Sequence, residues 1–232
     1  MTISNDSRAR IKRVFEPIAL GLGRLGLTPD GLTLVGFGIT VVGAILLGAQ
    51  LWLVGGLVVF IGGVFDIFDG TLARATGKVS KFGAFMDSVF DRWGEMIVYV
   101  GIIAGFEATG WAGSTIIAAA AMGSAFMVSY TRSKSEGLGF TAGTGMAAIG
   151  IMPREVRLVI LSLGLILAGL LGTAVQVPDG GFQGAGGAAI PTGILVLEGA
   201  LAIIAIGATL TVIQRILHVR SQASHSANQS TK

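Results

Sequence analysis

Residues 64–95 read VFDIFDGTLARATGKVSKFGAFMDSVFDRWGE, and the spacing of the acids in this stretch decides the fold. Asp66 and Asp69 are i, i+3, and Asp87 and Asp91 are i, i+4, so each pair shares one face of a helix. Gly83 and Glu95 extend the second stripe. Asp69 with Asp87, and Asp66 with Asp91, are both centred near residue 78. Two antiparallel helices turning there bring Asp69 and Asp87 to one depth. Asp66 and Asp91 lie level with each other one turn deeper. Nine residues of helix measure about 13 Å. The sequence therefore predicts four carboxylates converging at nearly one point.

Outward from this hairpin the chain is apolar. Of its 232 residues, 52% are hydrophobic and 12% charged, against roughly 25% charged in a soluble domain. The mean hydropathy is +0.79. That balance argues against a soluble enzyme. The 37 glycines suit transmembrane helices that pack closely. The absence of cysteine excludes disulfides, thiolate metal sites and cysteine nucleophiles.

Six apolar stretches, at about 31–50, 52–74, 82–106, 111–131, 155–175 and 192–214, are each long enough to cross a hydrocarbon core. Period-two alternation, the mark of barrel strands, is not seen. The expected fold is an all-α integral membrane protein of one domain. An amphipathic surface helix over 8–24 leads into a six-helix bundle over 31–214, then a cytoplasmic tail over 215–232. Thr28-Pro29-Asp30 marks the start of the first span. No cleavable leader is read in the first 30 residues, which mix bases with apolar residues.

The bases set the orientation. All 16 Lys and Arg residues fall on, or within about three turns of, the side that carries both termini and the loops 75–81 and 132–154. The opposite loops hold Glu107 and Asp179 and no base. By the positive-inside rule the basic side is cytoplasmic. The protein is expected in the cell membrane, with its acid cluster on the cytoplasmic side of the midplane. The net charge of +3 then reflects orientation, with no nucleic-acid partner implied. The Gly-rich segment 178–191 reads as an outer loop.

Acids at membrane depth cost several kcal/mol each unless paired, hydrated or metal-bound. Four together require cations, or some would take up protons. An all-oxygen donor set suits Mg²⁺, Mn²⁺ or Ca²⁺ rather than zinc. The two histidines, His218 and His225, sit at or in the tail. Paired hard cations held by shared carboxylates recur in displacement at phosphorus. Gly70, Ala73 and Gly83 leave helix faces without bulk, where a ligand could approach the backbone; ordinary small-residue helix packing is the other reading. Arg74 offers a guanidinium suited to a diphosphate, or snorkels at the interface.

These residues spell D-x-x-D-G-x-x-A-R-x8-G-x-x-x-D-x-x-x-D without gap or substitution. The pattern resembles the signature of the CDP-alcohol phosphatidyltransferases, and six spans with an N-terminal surface helix are also similar to that family. The resemblance implies two Mg²⁺ or Mn²⁺ ions. Asp66, Asp69 and Asp87 would hold the first, and Asp66, Asp87 and Asp91 the second. Asp91 would also be the catalytic base. Gly70, Ala73, Arg74 and Gly83 would line the CDP site, completed by Ser80 and by Pro29, Asp30, Gly31 and Leu32. The implied reaction is attack of an alcohol on the lipid-side phosphorus of a CDP-diacylglycerol-type lipid, releasing CMP.

A second basic group could hold a phosphorylated acceptor: Arg132, Lys134, Arg154, Arg157 and Arg215. Positive-inside topology is the competing reading. SYTRSKSE, PREVRL and VIQRILHV are similar to segments of the bacterial phosphatidylinositol phosphate synthases, a branch of the family whose acceptor is inositol 1-phosphate. That similarity points first to Arg132, Arg154 and Arg215. The Gly-rich stretch 137–150 would be a mobile loop beside this pocket. Phosphatidylglycerophosphate synthase is the nearest competing reading, and an archaeal-type donor lipid is a second. A cation transporter using the four acids as an ion path is the alternative from another class. It is opposed by the confinement of the acids to one hairpin. The resemblance also implies a homodimer. Gly94, Gly101, Gly105, Gly113 and Gly123 would permit close packing between chains or within one.

Overall fold

A computed structural model describes residues 5–108, 112–140, 149–172 and 191–229. The described residues form seven helices and no strand: α1 (Asn5–Arg24), α2 (Pro29–Gly48), α3 (Trp52–Ala75), α4 (Lys81–Glu107), α5 (Ala112–Gly137), α6 (Arg154–Leu171) and α7 (Thr192–Gln229). Helix α2 begins where the sequence indicated. Thr28 is its N-cap, with Oγ1 accepting from Gly31 N at 3.0 Å, and Pro29 and Asp30 fill its first turn. Ser80 caps α4 in the same way, accepting from Gly83 N at 2.8 Å.

The helices run close to the expected limits, with two differences. α5 continues to Gly137, beyond the expected 131, and α7 continues to Gln229. The segment expected as a tail after residue 214 is thus helical in its described part. No glycine or proline follows Gly207 to stop it. The Gly-rich loop 178–191, but for Pro191, and most of 137–150 lie outside the described residues.

α2, α3, α5 and α7 are long and apolar enough to cross a membrane. The other two helices expected to span, α4 and α6, carry the charged residues Asp87, Asp91, Arg92, Glu95, Arg154 and Arg157. Large apolar side chains such as Val42, Ile45, Leu57, Ile116, Leu163 and Ile206 face outward, as suits lipid contact.

α2 is gripped between α3 and α4. Gly36 and Gly43 on α2 meet Gly55 and Gly62 on α3. A Cβ built on Gly43 would lie 3.1 Å from Val59 N and 3.3 Å from Gly55 O. On the other side, a Cβ on Gly101 would run into the backbone of Ala44, and one on Gly105 into Leu47 O and the Trp52 ring. The main core joins Leu47, Trp52, Val98, Tyr99, Ile102, Leu165, Leu197 and Leu201 from α2, α3, α4, α6 and α7. A second cluster seats α1 against α2 and α3, where Ala19 packs with Leu32, Phe68 and Leu72, and the Phe15 and Phe68 rings lie 5.5 Å apart.

Three of the five glycines that would permit close packing between chains, Gly94, Gly101 and Gly105, are therefore turned inward. Only Gly113 and Gly123 have open space around them. Gly101→Val is expected to cost about 1–3 kcal/mol through overpacking against Ala44. Gly123→Ala should leave stability unchanged or raise it, since nothing opposes a Cβ there and alanine favours the helix. Thermal melts of the two variants in detergent check both outcomes.

Candidate functional site

The tip of the α3–α4 hairpin brings the acids together as the spacing indicated. Asp66 on α3 and Asp91 on α4 lie so close that one guanidinium serves both. Arg154, in the first turn of α6, places Nη2 2.7 Å from Asp66 Oδ2 and Nη1 2.8 Å from Asp91 Oδ1. The other two acids lie within electrostatic range of this point but do not share the Arg154 guanidinium. Asp69 is buried and takes a hydrogen bond from Thr33 Oγ1 of α2 at 2.5 Å, with a second from the amide of Gly70. Asp87 has no ion pair or hydrogen bond among the described residues.

The four carboxylates lie within electrostatic range of one another, and Asp66 and Asp91 alone share a partner. The levels are right, but among the described residues no three acids are gathered as a ready metal cage. Like charges cannot crowd one point without a cation between them, and here the cation is Arg154.

From Asp91 the charges alternate deeper into the bundle. Arg92 lies 3.7 Å from Asp91 and 3.3 Å from Glu95. Glu95 in turn takes two hydrogen bonds from Arg157 of α6, at 2.7 and 2.8 Å. The chain Asp66–Arg154–Asp91–Arg92–Glu95–Arg157 is formally neutral and links α3, α4 and α6. Arg157 is only 1% exposed, and its Nη1 also donates to Met152 O at 3.1 Å. Beneath the chain lies a small cavity of about 40 Å³, walled by Phe37, Val59, Phe90, Val98 and Leu161.

The segment leading into α6 is held from both sides. Met152 N donates to Thr211 Oγ1 of α7 at 3.0 Å. One turn along α7, Arg215 donates to Ile149 O at 3.0 Å and to Val128 O of α5. These contacts fix where Arg154 starts from.

Of the expected CDP-site residues, Ser80, Gly83 and Asp30 meet at the α2 and α4 N-termini, where a Cβ on Gly83 would lie 3.3 Å from Asp30 Oδ1. Gly70 and Arg74 adjoin on α3: a Cβ on Gly70 would lie 3.2 Å from Arg74 Nη1. Ala73 shares the α3 face of Gly70 and is part-buried, and Gly31 serves the α2 cap. Pro29 instead faces α1, lining a notch with Leu20, Arg24, Leu72 and Lys78. Leu32 is fully buried in the α1 cluster.

The expected acceptor residues are drawn apart by other partners. Arg154 serves the acids and Arg157 serves Glu95. Arg215, 3% exposed, holds backbone carbonyls. Arg132 is half exposed and pairs with Glu136 at 2.9 Å, and Lys134 is exposed on the same turn of α5. Arg215 nevertheless lies within electrostatic range of Arg132, Arg157 and Arg92, with Glu136 the single acid among these neighbours. An electropositive region therefore adjoins the acid cluster. Sequence reading missed Thr33 and Arg92, and placed Glu95 on the Asp91 stripe without giving it a role. Glu95 lies on the Asp91 stripe and is i, i+3 from Arg92, which was the available signal; Thr33 carried none.

The donor set suits a divalent cation. All the side-chain donors are hard oxygens, and a positive group already bridges Asp66 and Asp91 in the guanidinium of Arg154. Oxygen donors around a position that attracts positive charge fit a hard cation.

Comparison with known proteins agrees with this chemistry. The family model for CDP-alcohol phosphatidyltransferases matches residues 26–219. An archaetidylinositol phosphate synthase of Pyrococcus horikoshii is 39% identical over 154 residues, covering 66% of this chain and 77% of that protein. A phosphatidylinositol phosphate synthase of Mycobacteroides abscessus is 31% identical over 218 residues, 93% of this chain and 87% of its own. The crystal structure of the Mycobacterium tuberculosis phosphatidylinositol phosphate synthase with CDP-DAG bound superposes with a TM-score of 0.71 at 28% identity. It covers 89% of this chain and 94% of its own. The same enzyme has been solved with manganese and citrate, again at a TM-score of 0.71. The chain belongs to the CDP-alcohol phosphatidyltransferase family: it is a membrane-embedded transferase of substituted phosphate groups in phospholipid biosynthesis. Within that family it is similar to the inositol phosphate branch.

Glu95→Ala would leave Arg157 buried without its partner. It is expected to destabilise the protein by about 3–5 kcal/mol, whereas Glu95→Gln with Arg157→Met should recover most of that loss. Denaturation of the single and double variants in detergent measures the difference.

Proposed function

We propose that this protein transfers a phosphatidyl-type group from a CDP-linked lipid to inositol 1-phosphate, giving a phosphatidylinositol phosphate and CMP. The observation that carries the reading is the uninterrupted acid signature, gathered by α3 and α4 beside an electropositive region on α5, α6 and α7. The inositol phosphate synthases among the relatives support the choice of acceptor.

In this reading six helices, α2 to α7, span the cell membrane, with both termini and the site cytoplasmic. α4, at 27 residues, is long enough to cross; its charges lie between Lys81 and Glu95, apart from Glu107 at the outer end. α1 lies along the cytoplasmic surface as an amphipathic helix, and two chains associate as a homodimer.

Asp66, Asp69, Asp87 and Asp91 would hold two divalent cations, Mg²⁺ or Mn²⁺. These would supply charge neutralisation at the diphosphate and at the departing CMP. Gly70, Ala73 and Gly83 admit the nucleotide to the helix backbones. Arg74 and Ser80, with Asp30 and Gly31 opposite and Pro29 and Leu32 in support, orient it. Arg132, Lys134, Arg154, Arg157 and Arg215 hold or frame the acceptor phosphate. Asp91 takes the proton from the acceptor hydroxyl as its oxygen bonds to the lipid-side phosphorus. The bond from that phosphorus to the bridging oxygen breaks, and CMP leaves with the electron pair.

The deciding experiment is CMP release from CDP-diacylglycerol, and from the archaeal ether-lipid analogue, with Mg²⁺ or Mn²⁺. Inositol 1-phosphate, glycerol 3-phosphate, inositol and serine are the acceptors to compare. Release with inositol 1-phosphate alone is the expected result; release with glycerol 3-phosphate alone would move the protein to another branch of the family. Asp91→Asn should reduce kcat by at least about 10²-fold, the usual contribution of a positioned base, while CDP-lipid binding survives. Arg132→Ala, an exposed position, should raise KM for inositol 1-phosphate by about tenfold or more and leave KM for the CDP-lipid unchanged, as loss of one charged hydrogen bond requires. An unchanged acceptor KM would return Arg132 to a topological role.

A further inference from the structure

The site contains one arginine whose partners conflict with its expected role. Arg154 stands among the residues that would hold the acceptor phosphate, yet its guanidinium lies between Asp66 and Asp91. We propose that Arg154 is a positioning residue with two alternative partners. It neutralises Asp66 and Asp91 while the site is empty, and divalent metal displaces it toward the acceptor phosphate, so that metal binds before acceptor. This rests on the metal-dependent transferase reading above.

Three features of the structure support the exchange. The first is competition for the same oxygens. The planar fork of Arg154 spends one nitrogen on each carboxylate, at 2.7 and 2.8 Å. A divalent cation bound by Asp66 and Asp91 needs those oxygens and repels the guanidinium, so both cannot be seated together.

The second is freedom to move. Arg157 and Arg215 are almost fully buried and donate to backbone carbonyls. The Arg154 side chain is 26% exposed and its contacts are to the two acids. Its backbone stays fixed meanwhile, because Met152 is tied to Thr211 and to Arg157. Only the side chain needs to swing.

The third is charge balance. The chain Asp66–Arg154–Asp91–Arg92–Glu95–Arg157 is formally neutral. With metal on the carboxylates, Arg154 would be left as a surplus positive charge next to Arg92 and Arg157. An incoming phosphomonoester is the complement of that surplus. The exchange has a chemical consequence too, since the Arg154 guanidinium weakens Asp91 as a base while it holds it.

The test is direct titration of Mn²⁺ into the purified full-length protein in neutral detergent without substrates, reading free Mn²⁺ by its EPR signal. Arg154→Gln should lower the Mn²⁺ dissociation constant by about tenfold or more, because the competing charge is gone. Arg154→Lys should fall between, since an ammonium is a point charge that cannot fork to both carboxylates. It also serves if Arg154→Gln fails to fold. Calorimetric titration of inositol 1-phosphate gives the second readout. The wild-type protein should bind it at least about tenfold more tightly with Mn²⁺ than without, and Arg154→Gln should bind it weakly in both conditions. Unchanged or weaker Mn²⁺ affinity in both variants overturns the proposal, as does equal acceptor binding by the wild type with and without Mn²⁺. Wild-type protein that neither binds Mn²⁺ nor releases CMP would overturn the transferase reading instead, and that failure shows without any variant.

Discussion

Charge inside a low-dielectric bundle has to be matched where it stands, and the site is organised by that requirement. Asp66, Asp91 and Glu95 are matched by Arg154, Arg92 and Arg157 in strict alternation across α3, α4 and α6. Such pairs contribute little net stability, because desolvation offsets most of their attraction. What they provide is position. A carboxylate one turn out of register would face lipid or another carboxylate, so the helices are constrained to one mutual arrangement at this level.

The remainder of the bundle makes that arrangement reachable. Glycines on α2, α3 and α4 let the three backbones approach closely enough for Thr33 to reach Asp69 and for Asp66 to lie beside Asp91. On the opposite side, Thr211 and Arg215 of α7 hold residues 149–152, which aims the first turn of α6 at the acids. The four acids thus sit on packed helices, while one cationic partner, Arg154, reaches them by its side chain alone. That combination suits an enzyme that must bind metal, nucleotide and a phosphorylated alcohol in one crevice and keep water-exposed charge away from the lipid.

Much of this was legible in the chain. The i, i+3 and i, i+4 spacings placed the acids on facing stripes, and their common centre near residue 78 predicted which would lie level; Asp66 and Asp91 do. Apolar stretches and the helix start at Thr28-Pro29-Asp30 located the elements to within a few residues. The partners were not legible. Arg154 reaches Asp66 across 88 positions, Arg157 reaches Glu95 across 62, and Arg215 reaches Val128 across 87. Reading Arg154, Arg157 and Arg215 as bare phosphate ligands missed the carboxylates and carbonyls that hold them here.

The division has a physical basis. Sequence alone determined the helices, the lipid-facing character and the four-acid signature, because helical periodicity and transfer from water act on neighbouring residues. Only the tertiary structure decided how the acids are neutralised, which glycines are spent inside the chain, and which arginine remains free to change partners. Those outcomes depend on how closely distant helices approach, and on charge compensation that no local pattern records.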